Sequence, residues 1–300
     1  MIGCKINTME IEIFDKSWFK NSKTLKKVVS KYSSGVTSGG VTIIGGSKLF
    51  HGAPLMALKA AARIVSMVYF GSPDDDKGVA EKLKSSLFNF IWVPFEDVGS
   101  YISKSDAILI GPGMMRSHVN EHGFVCDDEG VKTRNFALNL LTKYSEARWV
   151  IDGGALQVLS VNELPKNSMI SPNRKEFVML FGEEMEEDYG MRSEQIFRLA
   201  NKYDLVILTK DEISIVSDGK RTVKIFGGNE GLVKGATGDL IAGILVGFMA
   251  KDDPLFSACA ASYLTKKAAE KLAETRGLMF NTDDVADAVP EIYGEVMKNL

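Results

Sequence analysis

Histidine is scarce in this chain. Its 300 residues hold three, His51, His118 and His122, so any chemistry that needs an imidazole must use one of them. Cysteine is equally sparse, and Cys4, Cys126 and Cys259 form no spacing motif. That excludes a disulfide scaffold and fits a reducing cytoplasm. The longest apolar run, Leu240 to Ala250, is bracketed by Asp239 and Lys251. It falls well short of the ~20 residues of a membrane helix. No secretory signal pattern is expected in Met1-Ile-Gly-Cys-Lys-Ile-Asn. Positive charge is not in excess: 36 Lys and Arg face 39 Asp and Glu, for a net charge of −3. Nucleic acid and anionic membranes therefore have no electrostatic support as partners. A chain that is 45% apolar and 25% charged, with 28 Gly and 8 Pro, is neither disordered nor collagen-like.

What is present is an alternation. Short, nearly continuous β-branched runs at Val41–Ile44, Met67–Phe70, Ala107–Ile110, Trp149–Ile151, Met169–Ile170 and Leu205–Leu208 read as strands covered on both faces. Between them lie helical patterns at Pro54–Val65, Lys77–Leu87, Arg134–Tyr144, Lys175–Phe181 and Ser193–Lys202. The pattern predicts a layered α/β fold with a mainly parallel central sheet flanked by helices. Ile213–Val216 and Arg221–Ile225, split by Ser217-Asp-Gly-Lys220, predict an antiparallel hairpin at the sheet edge. Helices are expected over Leu240–Ala250, Pro254–Thr275 and Thr282–Val289, the last capped by Thr282. No linker or repeat divides the chain. Residues 1–39 read as an extension of undefined structure, and 40–300 as one domain.

In open parallel sheets ligands bind beyond the carboxyl ends of the strands. Small or polar residues recur at those ends: Gly45-Gly-Ser47, Gly111-Pro-Gly113, Asp152-Gly-Gly154, Ser171-Pro-Asn173 and Thr209-Lys210. Together they predict a ligand crevice. The densest signal is Gly235-Ala236-Thr237-Gly238-Asp239, directly before an apolar helix. Glycines admit a close ligand approach, and free amides with the helix dipole favour an anion there. Asp239 either caps that helix or accepts the proton of a hydroxyl that attacks a phosphoryl group. No Gly-Lys-Ser/Thr follows, so this is not a Walker loop. The first strand lacks a G-x-G-x-x-G, which removes the main support for hydride transfer.

Read in order, Ile44-Gly-Gly-Ser47, Gly52-Ala-Pro54, Ile110-Gly-Pro-Gly113, Ile151-Asp152, Ser171-Pro172 with Glu176-Phe177, and Gly235-Ala-Thr-Gly-Asp-Leu-Ile-Ala-Gly243 form a set. From about Val41 to Pro290 the chain resembles the ADP/ATP-dependent NAD(P)H-hydrate dehydratases of the ribokinase-like superfamily. The resemblance implies phosphorylation of the ring hydroxyl of hydrated NADH or NADPH by ADP or ATP with Mg²⁺, then elimination of phosphate. It puts Asp239 as catalytic base, with Gly235, Ala236, Thr237 and Gly238 around the phosphoryl anion. Ala53, Gly113, Asp152 and Asn173 would meet the hydrate. Lys210, Asp211, Glu212, Ile213 and Ser214, with Gly238, would hold the nucleotide. It also implies a homo-oligomer, often a tetramer, in the cytoplasm.

The chain departs from that pattern at three places. The family's Thr-Pro-His is Ser171-Pro172-Asn173 here, its Asp-Ala-Asp is Asp152-Gly153-Gly154, and its Lys-Gly-Ala is Lys210-Asp211-Glu212. Asn173-x-x-Glu176 also matches the N-x-x-E of ribokinase-like small-molecule kinases, in which the acid organises Mg²⁺ through water. A kinase that keeps its phosphorylated product is therefore the alternative, and a nucleotide-binding protein with little catalysis the third. Elsewhere, His118-x₃-His122-x₃-Cys126 has zinc-ligand types at helical spacing, but Gly123 interrupts it and residues 114–131 read as an insertion. The acidic runs Glu183–Asp188 and Asp74–Asp76 read as solvated loops. Phe88, Phe90, Trp92 and Phe95 read as core. Ala258, Ala261, Ala268 and Ala269 form a stripe for close helix packing or for a subunit contact. His51 suits either the crevice or packing.

Overall fold

The computed structural model describes residues 10–24, 39–73, 77–85, 87–116, 118–120, 123–125, 128–298 and 300. In chain order the elements are β1 (Ile11–Ile13), β2 (Gly40–Ile44), α1 (Gly52–Ala61), β3 (Met67–Ser72), α2 (Lys77–Leu83), β4 (Phe90–Pro94), α3 (Val98–Ile102) and β5 (Ala107–Ile110). Then come β6 (His118–Asn120), β7 (Gly123–Val125), α4 (Asp128–Lys143), β8 (Trp149–Ile151), α5 (Gly153–Val158), β9 (Met169–Ile170), α6 (Arg174–Phe181) and α7 (Tyr189–Tyr203). The chain finishes with β10 (Val206–Thr209), β11 (Ser214–Ser217), β12 (Thr222–Ile225), α8 (Thr237–Met249), α9 (Pro254–Arg276) and α10 (Thr282–Lys298).

Ten strands form one sheet in the order β1-β12-β11-β10-β9-β8-β5-β2-β3-β4. Among its described strands β11 alone runs against the rest, pairing antiparallel with β10 and β12. The expected mainly parallel sheet is present, and each expected strand lies within a residue or two of its predicted bounds. Side chains alternate between two cores, as strand geometry requires. Val41, Ile43, Leu109, Val150 and Leu208 pack under α1, α8, α9 and α10. Ile44, Ile108, Ile110, Ile151 and Ile207 pack under α3 to α7. The result is a three-layer α/β/α sandwich.

Several expectations are corrected. The β11–β12 hairpin is not at the edge, because β1 pairs parallel with β12 outside it, Ile11 opposite Thr222. The segment read as undefined thus supplies a strand, followed by a 3-10 turn at Lys16–Asn21 that buries Phe19. Phe14 and Phe19 join Phe248, Phe256 and Tyr263 in one aromatic cluster. Asp252 anchors the end of this strap by accepting from the Ser22 hydroxyl at 2.7 Å, the Thr24 hydroxyl at 2.6 Å and the Thr24 amide at 3.2 Å. Asp252→Ala leaves those donors unmatched in a buried place. It should lower stability by about 2–4 kcal/mol, read as a lower midpoint in urea with an unchanged slope. An unchanged midpoint would show that the strap is held by its aromatics alone.

Helix ends also differ from expectation. Asn281, not Thr282, caps α10: its Oδ1 accepts from the Asp284 amide at 3.0 Å, and its own amide donates to the Asp284 carboxylate at 2.9 Å. That helix also runs past the expected stop at Pro290. Proline cannot donate to the carbonyl four residues back, but that carbonyl, on Ala286, accepts from Arg63 Nη1 at 2.6 Å instead. Helix α4 begins at Asp128, inside the segment read as an insertion. The acidic run 183–188 is not simply solvated. Glu183 pairs with Arg198, Glu187 with Arg174, and Asp188 caps α7. Phe88 is exposed rather than core, whereas Phe90 is buried in β4. The alanine stripe is entirely buried within this chain, so helix packing accounts for it. Asp74–Asp76, His122 and Cys126 lie outside the described residues. His118 is in strand β6, not on a helix, so the helix-face zinc arrangement has no basis there.

Candidate active site

Adjacent parallel strands end along one edge of the sheet, and their last residues meet there. Gly45, Gly111, Asp152, Ser171 and Lys210 follow β2, β5, β8, β9 and β10, which are neighbours in that order. The turns at this edge are stacked tightly. Gly46 donates its amide to the Pro112 carbonyl at 2.8 Å. Gly111 has φ +120°, and a Cβ there would overlap the Asp152 carbonyl, so only glycine fits. Gly113 packs on Pro54, which brings it next to Ala53 in the first turn of α1. Ala53, Gly113, Asp152 and Asn173 therefore line up along the edge, in the order α1, β5, β8, β9.

Asp152 is the junction. It is nearly fully buried, and its Oδ1 accepts from the Ser171 hydroxyl and from Lys210 Nζ, both at 2.9 Å. Burial alone would push the Lys210 ammonium pKa down, but Asp152, Glu176 and Asp239 more than offset it and hold that pKa up. The same ammonium lies against Gly238, where a Cβ would stand 3.2 Å from Nζ. Lys210 thus links the strand ends to the amino end of α8.

That end differs from the expected cap. The cap position is Ala236, with φ 66°, a left-handed backbone that a side chain adopts only under local constraint. The constraint comes from the start of α10. Thr282 Oγ1 donates to the Gly235 carbonyl at 2.7 Å, and Lys234 Nζ donates to the carbonyls of Leu278 and Phe280. Asp239 is the third residue of the helix, not its cap, and its carboxylate accepts from its own amide. The first amides of any helix lack partners within it; here the Thr237 amide makes only a long bond, 3.4 Å, to the Lys234 carbonyl, and with Gly238 it marks an electropositive helix end. Gly243, one turn further on, lets α8 approach the Ala57 backbone on α1, where any side chain would collide.

Asp239 is half-buried. Burial first, and then the nearby charge of Asp152, pushes its carboxyl pKa up to about 7, against the pull of Lys210. Glu176 is likewise raised by burial and by Asp152. Its Oε1 accepts from Gln157 Nε2 at 3.0 Å and its Oε2 from the Asn173 amide at 2.9 Å, while Asn173 Oδ1 accepts from the Glu176 amide at 2.9 Å. This is a capping box on α6. It explains the N-x-x-E spacing without any ligand. His51 stands at the start of α1 without a side-chain cap.

A cavity of about 470 Å³ opens on the other side of α8. Lys210, Asp211, Glu212, Ser214 and Thr237 line it, together with Gly227–Glu230, Ile241, Thr265 and Lys266. Ile213 is not among its lining residues. The Asp211 carboxylate is taken by Arg174 at 3.0 Å and by the buried Arg192 at 2.8 Å. Sequence reasoning missed Lys266 and the Thr282 latch. Both act through contacts across 39 or more residues that no local pattern announces. Thr282 was in view, but as a helix cap, a place that Asn281 takes instead.

A three-layer sandwich whose strand ends meet an electropositive helix end holding a buried acid has the architecture of the ribokinase-like proteins. Solved structures agree on the fold. A Bacillus subtilis ADP/ATP-dependent NAD(P)H-hydrate dehydratase co-crystallised with ATP/Mg²⁺ matches with a TM-score of 0.78 at 19% identity, over 96% of this chain and 99% of that one. A hydroxyethylthiazole kinase from Pyrococcus horikoshii matches less well, with a TM-score of 0.59 at 18% identity over 87% of this chain and 91% of that one.

A profile for NAD(P)H-hydrate dehydratase matches residues 41–291, and the chain belongs to that family. An ADP-dependent (S)-NAD(P)H-hydrate dehydratase of Cenarchaeum symbiosum is 29% identical over 269 residues, covering 85% of this chain and 88% of the relative. A bifunctional NAD(P)H-hydrate repair enzyme of Methanocaldococcus jannaschii is 28% identical over 284 residues, covering 90% of this chain. The chain spans about half the length of that bifunctional relative, 51%.

Proposed function

We propose that this protein dehydrates hydrated NADH or NADPH, using ADP or ATP to phosphorylate the ring hydroxyl before phosphate is eliminated. The observation that carries the reading is Asp239. It is a half-buried carboxyl whose pKa is pushed up to about 7, set in the first turn of α8 near Lys210. A base with a pKa near the working pH both holds the right charge and takes a proton readily. Family membership and the names of the relatives supply the substrate class.

On this reading the nucleotide enters the cavity beside α8, with its terminal phosphate at the Thr237–Gly238 amides and Lys210. The hydrate lies along the strand-end edge formed by Ala53, Gly113, Asp152 and Asn173. As the hydroxyl oxygen attacks phosphorus, Asp239 takes its proton, and the bond to the departing nucleotide breaks. The helix amides and Lys210 meet the charge that develops on the phosphoryl oxygens. Loss of phosphate from one ring carbon and of a proton from the carbon beside it then restores the ring double bond. Lys210, Glu212 and Ser214 line the nucleotide side. Asp211 works through its arginines and Ile213 through the turn alone.

Magnesium enters with the phosphates. The described residues hold no group of three metal-ligating side chains, which suits an ion that keeps several waters and meets one or two carboxylates. Glu176 would reach it through water. Its chemistry when bound is neutralisation of phosphate charge. A cytoplasmic oligomer, most simply a tetramer, completes the proposal. No helix among the described residues is long and apolar enough to cross a membrane.

Incubation with hydrated NADH, Mg²⁺ and ADP or ATP should return the absorbance of NADH with one phosphate released per turnover. A phosphorylated product that never eliminates would instead establish the kinase reading. Binding without either reaction would leave a nucleotide-binding protein. The capping box at Asn173 and Glu176 gives that spacing a structural cause, so the spacing by itself does not favour the kinase.

A further inference from the structure

Lys266 is almost fully buried, yet it forms no ion pair with a described residue. Its Nζ donates to three backbone carbonyls, those of Asp211 at 3.0 Å, Glu212 at 2.6 Å and Gly227 at 3.0 Å. Three donors meet three acceptors, and they belong to two separate pieces of chain: the turn after β10 and the loop after β12. Both pieces wall the cavity beside α8. We propose that Lys266 is a positioning residue for the nucleotide, a bolt that holds these two walls at the separation the ligand requires. The proposal rests on the reading of this cavity as the nucleotide site.

The rest of the geometry supports a positional role. The Asp211 carboxylate is turned away to Arg174 and Arg192, and Glu270 is engaged by the Gly228 amide at 2.8 Å and Lys267 at 2.7 Å. The acids facing Lys266 from the turn, Asp211 and Glu212, and from its own helix, Glu270, therefore act at a distance. Carbonyl dipoles do the holding. Burial lowers the Lys266 pKa to about 8 against the pull of those three acids. Only the charged form has a third N–H, so the bolt opens as pH rises through that value.

Binding of Mg-ATP and Mg-ADP by wild type, Lys266→Met and Lys266→Arg, measured by calorimetry between pH 6 and pH 9.5, tests this. Wild-type affinity should fall about tenfold between pH 7 and pH 9, one protonation lost per site. Lys266→Met should bind roughly 10- to 100-fold more weakly at pH 7, the effect of losing charged hydrogen bonds that order the walls. Its affinity should be flat across the alkaline range, and its turnover at saturating nucleotide should stay within a few-fold of wild type. Lys266→Arg, whose charge does not titrate here, should lose the alkaline fall. Added ammonium ion should restore binding to Lys266→Ala.

Wild-type affinity that stays flat to pH 9 overturns the proposal without any variant. So does Lys266→Met with wild-type affinity, or Lys266→Arg with the same alkaline fall as wild type. If Lys266→Met does not fold, the wild-type and arginine profiles decide. A wild-type protein that binds no nucleotide at any pH would instead overturn the reading of the cavity itself.

Discussion

Asp239→Asn should cut turnover by about 10²- to 10⁴-fold, the range lost with a positioned general base, while nucleotide binding holds or tightens. Asparagine fills the same volume and leaves the helix amides in place. It removes one of the three carboxylates that surround Lys210, so an incoming phosphate meets less negative charge. Wild-type turnover should rise with pH through about 7 and then level, because the base must be ionised. Unchanged turnover would remove Asp239 from the mechanism.

The same variant has a second expected effect, on stability. In the unfolded chain the Asp239 carboxyl loses its proton near its ordinary value of 3.8, whereas the folded protein keeps it to about 7. Between those values the folded state binds the extra proton, so stability falls as pH rises. By pH 8 the full cost of burying the charge is present, roughly 4 kcal/mol for a shift of this size. Asp239→Asn removes that cost. It should melt higher than wild type at pH 8, and the gap should close towards pH 4. A residue that stabilises the fold when removed and disables turnover is one held in place for chemistry.

How much of this was legible follows from how each feature is encoded. β2, β5, β8 and β10 are buried on both faces, and their runs of Val, Ile and Leu are therefore nearly continuous in the sequence, broken only by Thr42 in β2. Gly111 is a backbone requirement that glycine records directly, whereas in the 235–239 turn the left-handed residue is Ala236, which nothing in the sequence marks. β1 was not legible. Three residues, Ile11–Ile13, owe their strand to a partner at Thr222–Lys224, far along the chain. Pro290 reads as a stop because the guanidinium that rescues Ala286 comes from position 63. The N-x-x-E pattern was visible, but its spacing serves a helix cap and a metal-organising acid equally well, and only the hydrogen bonds reveal the cap. Asp152 and Lys210 were each visible as strand-end residues. Their bond was not, since it depends on β8 and β10 lying on either side of β9.

That bond sets the second large expectation. Lys210→Met leaves Asp152, Glu176 and Asp239 together without the cation they share. Removing one partner of a buried pair costs about 3–5 kcal/mol, because the charge left behind has lost its water. Protonation can relieve this loss. At pH 5 Asp239 and Glu176, whose pKa values burial already raises, accept protons and the variant should recover much of its stability, whereas at pH 8 the deficit should be largest. The Asp239 carboxyl, which Lys210 now pulls down, should titrate above about 7, so the pH profile of any residual turnover moves to the alkaline side. Nucleotide affinity should fall as well, since the ammonium beside Gly238 faces the proposed phosphate position. Melting curves and pH–rate profiles of Lys210→Met and Asp239→Asn, alone and combined, separate these effects. The double variant should regain stability over Lys210→Met, because one of the stranded acids is gone. Strict additivity of the two single changes would show that Lys210 and Asp239 do not share an electrostatic site, and would leave the anion end of α8 to work without its lysine.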